Sequence, residues 1–150
     1  MSTDAQRTIA VCIAAFNRRE KTLACLRSLK ASELPEGLGL SIYLLDDAST
    51  DGTGAAVREA FPDVRILEGT GSLYWAGGMR RAYGAALEHP HPYYIWMNDD
   101  VVARPEAIAR LVAVERALHA ADGKRHLVSG GMWDPAAGKA SYGAYRLANR

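Results

Sequence analysis

Three short stretches group residue types able to do chemistry on a phosphate-bearing ligand: Asn98-Asp99-Asp100, Asp46-Asp47, and the run from Gly69 to Arg80. Two adjacent carboxylates leaving a strand cannot both turn inward without a cation or donors nearby, because like charges at short range are costly. A hard divalent ion such as Mg²⁺ or Mn²⁺ takes one or two carboxylates and fills its other positions with waters and phosphate oxygens. Asn98-Asp99-Asp100 would thus join protein to diphosphate through a metal. Asn and Asp also favour turns, so the triplet by itself is evenly balanced between a metal site and a solvated strand end.

The second acid pair opens Asp46-Asp47-Ala48-Ser49-Thr50-Asp51-Gly52-Thr53. Ser49 to Thr53 suit a tight turn, with Thr53 or Asp51 at a helix N-cap. A turn does not explain a double Asp directly after an apolar strand. A carboxylate there can accept a hydrogen bond from a pyrimidine ring N–H or a ribose hydroxyl, which gives Asp47 a nucleotide role. In the third stretch, Gly77-Gly78 at a helix start would let backbone approach an anion, and Arg80 or Arg81 would add a charge-assisted contact to phosphate. Tyr74 and Trp75 are equally suited to loop packing. Gly69-Thr70-Gly71 is not a dinucleotide fingerprint, since Tyr74 replaces the third glycine and the strand before it is the third.

The elements that must position these residues follow from the apolar pattern. Continuous apolar runs at Thr8–Ala14, Ser41–Leu45, Val64–Leu67 and Tyr93–Met97 predict buried strands, with a fifth at His126–Met132. Helix-period segments alternate with them. They are Arg19–Ala31, Thr53–Ala60, a stripe of Met79, Ala82, Tyr83, Ala86 and Leu87, and a helix opened by Pro105 with Ile108, Leu111, Val112 and Leu118 on one side. Gly69–Gly78 is expected as a loop, Asp134-Pro135 as a turn, and Tyr142 in a short extended piece. Such alternation implies an α/β fold, a doubly wound and mostly parallel sheet flanked by helices, which binds ligands at the carboxyl ends of its strands. Both acid pairs fall at such ends.

The bulk numbers bound the alternatives. At 150 residues, with 49% hydrophobic and 23% charged, one compact domain spanning 1–150 is expected. A net charge of +1 without a run of Lys or Arg gives no electrostatic footprint for nucleic acid. Cys12 and Cys25 have no metal-ligand spacing and suit buried positions in a reducing compartment. The four histidines are not clustered, and solvated or capping roles are expected for them. No apolar run spans a bilayer and no secretory cleavage pattern is visible, so a cytoplasmic location is expected, with membrane contact peripheral to the inner face at most.

Taken together, Ala14-Ala15-Phe16-Asn17-Arg18, the Asp46–Thr53 run, Trp75-Ala76-Gly77-Gly78-Met79-Arg80 and Asn98-Asp99-Asp100 resemble the family 2 glycosyltransferases, from Ile9 to about Tyr142. The last two motifs look most like its rhamnosyltransferase-like branch. The resemblance implies the Rossmann-like A-type nucleotide-sugar fold. It also implies metal-assisted, inverting transfer of a sugar from a UDP- or dTDP-sugar to a glycan or lipid-linked acceptor hydroxyl, with Mg²⁺ or Mn²⁺ as cofactor. By the same resemblance Ala15 and Phe16 would line the base pocket, and Asp47 would contact the base with Asp46 supporting it. Asp99 would lie near the ribose or sugar, and Asp100 would hold the metal. A phosphate role for Arg80 rests on its charge, since many relatives carry Asn around this position.

Family members continue into an acceptor-binding half that supplies the general base, usually an acidic residue. Downstream of the acid triplet stand Glu106, Glu115, Asp122 and Asp134; Asp134 lies in a turn context and is not nominated as the base. The chain is therefore expected to be the N-terminal donor-binding part, truncated at its C-terminus, with the base outside it. Two other readings stand beside this one. One is a non-catalytic nucleotide-binding module. The other is a phosphoacceptor receiver domain, whose acid pair would follow the first strand rather than the second.

Overall fold

A computed structural model describes residues 7–142; the polar N-terminal stretch and the residues up to Arg150 lie outside the described residues. Four parallel strands form the sheet: β1 (Thr8–Ala15), β2 (Gly39–Asp46), β3 (Arg65–Glu68) and β4 (Tyr94–Trp96), in the order β3-β2-β1-β4. β1 and β2 pair in register over their full length, from Thr8 opposite Gly39 to Ala15 opposite Asp46. Alternate residues of β1 feed two separate cores, which is why the strand is apolar throughout. Ile9, Val11, Ile13 and Ala15 pack with α1 (Arg19–Lys30), α2 (Thr53–Ala60) and α4 (Ala107–Asp122) on one face. Ala10 and Cys12 pack on the other face with Met79, Ala82 and Ala86 of α3 (Tyr74–Leu87). Fully buried side chains such as Ile9, Ile13 and Leu44 each contribute about 1.5–3 kcal/mol of transfer free energy.

The two faces set the topology. α1 and α2 carry the chain outward from β1 to β3, and α3 crosses the opposite face to place β4 on the far side of β1. Strand order therefore reverses between β1 and β4, the point at which open α/β sheets form their ligand crevice. Both cysteines are free and buried, as their apolar surroundings imply, and burial pushes the thiols up to about 11 for Cys12 and about 12 for Cys25.

Four expectations are corrected. Residues 126–132 do not form a fifth strand of the sheet; a separate antiparallel hairpin joins β5 (Met132–Asp134) to β6 (Lys139–Tyr142). Segment apolarity alone makes no strand where no neighbour supplies the backbone partners. The Gly69–Gly78 loop ends early, because α3 already begins at Tyr74. Leu87 and Leu118 are exposed, and on α4 Glu115 takes the buried position after Ile108 and Val112.

The fourth concerns His91, which is neither solvated nor a cap. It is 8% exposed, with Nδ1 against the Thr8 carbonyl at 2.9 Å and Nε2 against the Tyr43 hydroxyl at 3.1 Å. Burial holds its pKa below the usual imidazole value.

Candidate functional site

The carboxyl ends of β1, β2 and β4 converge at this reversal, and three loops there adopt backbone that L-residues rarely take. Asn17, Ala48 and Tyr74 have φ of 51°, 57° and 55°, and such strain persists only where the surroundings enforce it. The enforcement is visible. The Asn17 backbone N–H donates to Ser49 Oγ (3.0 Å), while its side-chain oxygen accepts the Thr50 N–H (2.7 Å). The Arg19 N–H donates to Asp51 Oδ2 at 3.0 Å, and Asp51 Oδ1 accepts the N–H and hydroxyl of Thr53 at the start of α2. The Thr53 hydroxyl is the main reason the Asp51 carboxyl lies below its usual range. The turn role expected for Ser49 to Thr53 is what the structure shows.

Asp46 and Asp47 are both buried, at 4% and 5% exposure. Asp46 folds back on its own turn, accepting the Ser49 N–H at 3.1 Å, and lies so close to α2 that a Cβ on Gly54 would stand 2.4 Å from Oδ2. Asp47 turns the other way. Its Oδ1 accepts the N–H of Gly71 (2.8 Å), and its Oδ2 accepts those of Leu73 (2.9 Å) and Tyr74 (3.2 Å). A carboxylate on the first N–H groups of α3 satisfies donors that the helix cannot, and complements its dipole. Gly69 is required beside it, since a Cβ there would meet Asp47 Cα at 2.7 Å.

The glycine pair of α3 does not act as expected. Gly77 lies within the helix and its N–H is bonded to the Leu73 carbonyl, so it offers no donor to an anion. Gly78 is buried, and a Cβ there would stand 2.8 Å from Ala14 Cβ and 2.9 Å from Leu45 Cδ2. Its smallness lets α3 sit directly on β1 and β2. Arg80 and Arg81 are exposed and fall in the second turn of α3 or beyond, roughly 9 Å of helix past Tyr74 for Arg80. Ala15 is buried at the end of β1, and Phe16 is exposed at the mouth of the crevice.

The acid triplet follows β4. Asp99 is 5% exposed and accepts from Thr22 Oγ1 of α1 at 3.5 Å. Arg18 Nη1 lies 3.4 Å from Asp99 Oδ1 and 2.9 Å from Asp100 Oδ2, bridging the two acids. Burial raises the Asp99 carboxyl above its usual range; the Arg18 guanidinium opposes that shift and the Asp100 charge adds to it. Asn98 accepts the Trp75 indole N–H at 2.9 Å, which ties the triplet to the first turn of α3. Arg18, Thr22 and Trp75 thus belong to the site, although residue chemistry alone does not nominate them. The available signal for Arg18 is its place three residues past the β1 end, at the close of the Ala14–Arg18 motif, in a chain whose neighbouring strand ends carry acids.

The donor set can be tested against a metal. Among the described residues no group of three or more His, Cys, Asp or Glu converges, so an all-protein cage or a zinc centre does not fit. A hard divalent ion does fit. Asp100 is solvent-facing, its partner among the described residues is the half-exposed Arg18, and such ions use one or two carboxylates with phosphate oxygens completing the shell.

The sequence matches the model for Glycosyl transferase family 2 over residues 10–140. Polyprenol monophosphomannose synthase of Mycolicibacterium smegmatis is 33% identical over 138 residues, covering 83% of this chain and 47% of its own length. The chain thus spans about half of that curated relative. Among solved structures, a Pyrobaculum calidifontis mannosyltransferase in complex with GDP-Man and Mn²⁺ gives a TM-score of 0.55 at 24% identity, covering 71% of this chain and 31% of that one. S. aureus TarS 1–349 in complex with UDP gives 0.59 at 18% identity, covering 75% and 33%. At these identities the structural likeness is one of fold.

Proposed function

The chain belongs to glycosyl transferase family 2, and from that premise we propose that residues 1–150 form the donor-binding part of an enzyme moving a sugar from a nucleoside diphosphate sugar to an acceptor hydroxyl. The observation that carries this is the pair Asp99 and Asp100 at the crevice between β1 and β4, one acid buried and the other open to solvent. Asp100 would hold Mg²⁺ or Mn²⁺, which when bound supplies positive charge against the departing diphosphate. Asp99, kept in place by Thr22, would face the ribose or sugar. Ala15 and Phe16 would line the base pocket with Asp46 beneath it. Asp47 keeps room for a base contact, because a carboxylate has about four acceptor sites and the backbone occupies three.

The donor class is supported by the solved relatives, one holding GDP-Man with Mn²⁺ and one holding UDP. UDP- and dTDP-sugars are our assignment for this chain, and inversion and a glycan or lipid-linked acceptor belong to the same proposal. None of the residues assigned here is a general base, and such transfer needs one to take the acceptor's proton. A non-catalytic nucleotide-sugar-binding module is the second reading, since no general base stands among the residues assigned; release of sugar to water or acceptor would exclude it. No helix among the described residues is long and apolar enough to cross a membrane, and we place the protein in the cytoplasm, with lipid-linked acceptors met peripherally at the inner membrane face.

Thermal shift against UDP, dTDP, GDP and their sugars, each with and without Mn²⁺, tests the proposal, because a ligand of the native state raises its stability with affinity and concentration. Stabilisation by a nucleoside diphosphate that grows with Mn²⁺ is the expected result. Metal-independent binding would remove the role assigned to Asp100, and no binding by any nucleotide would remove the donor site.

A further inference from the structure

Arg18 bridges the two acids of the triplet. One nitrogen, Nη1, contacts both Asp99 Oδ1 and Asp100 Oδ2, and no other partner of its guanidinium occurs among the described residues. We propose that Arg18 is a resident counter-ion that holds the cation position between the two acids and yields it only when a divalent ion and a diphosphate arrive together. The inference rests on the metal assignment above.

Three features support it. A buried carboxylate beside a second carboxylate needs positive charge close by, and Arg18 is what supplies it. Its route out is open: the side chains of Arg18 and Asp100 are 49% and 36% exposed, while that of Asp99 is 7% exposed, so the guanidinium covers Asp99 from the solvent side. The backbone beneath it does not need to move, because Asn17 is pinned to Ser49 and Thr50, while among the described residues the polar partners of the Arg18 side chain are Asp99 and Asp100.

Displacement leaves the guanidinium without a carboxylate. The neighbouring depression is lined by Asn17, Arg18, Arg19, Glu20, Lys21 and Asp51, so two further cations crowd it. Of its two acids, Asp51 is already held by Thr53 and the Arg19 N–H, and Glu20 projects into solvent beside Arg19. A diphosphate in the crevice is the anion that could take the freed Arg18, by charge-assisted hydrogen bonds. Metal alone therefore binds weakly, and metal with diphosphate binds cooperatively. Two ligands coupled through one displaced group typically strengthen each other by 5–150-fold, and the effect is reciprocal.

Calorimetric titration of Mn²⁺ alone, UDP alone and UDP with Mn²⁺ into the wild-type chain, Arg18→Gln and Arg18→Lys tests this. In Arg18→Gln, Mn²⁺ alone is expected to bind roughly tenfold tighter, and the gain in UDP affinity on adding Mn²⁺ to shrink by a similar factor. Arg18→Lys keeps the charge without the rigid fork and should fall between the two, which keeps the test available if the glutamine variant does not fold. Equal Mn²⁺ affinity in wild type and either folded variant overturns the role of Arg18 while leaving the metal assignment standing. Absence of Mn²⁺ binding in wild type and variants alike, with UDP present as well as without it, would overturn both.

Discussion

Asp47 at the end of β2 accepts the backbone N–H of Tyr74, 27 residues later, at 3.2 Å, and so fixes where α3 begins. With the N–H groups of Gly71 and Leu73 on the same carboxylate, the acid that resemblance assigns to a nucleobase is also the anchor of the loop beside the acid triplet. From Tyr74 the helix continues directly into Trp75, whose indole holds Asn98. Under the proposed donor role, stability and ligand binding would be coupled at Asp47, and variants can separate the two.

Asp47→Ala should destabilise the fold by about 3 kcal/mol, since it strips a carboxylate from three partly buried backbone donors. Asp47→Asn, which retains one carbonyl acceptor, should lose less. Urea denaturation measures both. An Ala variant of wild-type stability with reduced nucleotide affinity would show that the carboxylate serves the ligand alone.

The two α3 glycines should part company. Gly78→Ala drives a methyl to within 2.8 Å of Ala14 and 2.9 Å of Leu45, and overpacking of this kind costs about 1–3 kcal/mol. Gly77→Ala places its methyl 3.2 Å from Leu73 Cβ, a tight contact offset by a helix-propensity gain of about 1 kcal/mol, so its effect should be small. Melting temperatures of the pair decide it; equal losses would contradict the packing role of Gly78.

His91 sets an acid limit on stability. Its native pKa lies below the unfolded value near 6.5 because burial penalises the imidazolium. The unfolded chain therefore binds the proton first. His91's contribution is fully present above about pH 6.5 and declines as pH falls from there through the lowered native pKa. Stability of His91→Gln followed from pH 8 to 5 should fall less steeply than that of wild type. Parallel curves would assign the acid loss to other groups.

At the acid triplet, Asp100→Asn should leave folding intact, because the side chain is solvent-facing and its one ion pair is with half-exposed Arg18. UDP affinity of the variant should no longer respond to Mn²⁺. A preserved Mn²⁺ response would transfer the metal to another ligand set.

Sequence by itself determined the architecture and the strand ends on which the acids sit. The buried positions of β1, and of β2 up to Leu45, are hydrophobic, and β2 runs directly into Asp46-Asp47, so strand, end and acid pair are local signals. It also carried the family, through four motifs in order. Tertiary structure alone decided the roles. Asp47 meets donors 24–27 residues away, and Arg18 meets Asp99 and Asp100 across 81 and 82 residues. Which of Asp46 and Asp47 folds back on its own turn and which reaches a helix start depends on side-chain direction in three dimensions, not on spacing. Gly77 and Gly78 suggested an open loop because glycine disfavours helix, yet packing of α3 against Ala14 and Leu45 outweighs that preference. Residues 126–132 show the reverse case: their apolar pattern suits a strand beside β4, yet 126–131 form none and Met132 opens the separate β5-β6 hairpin.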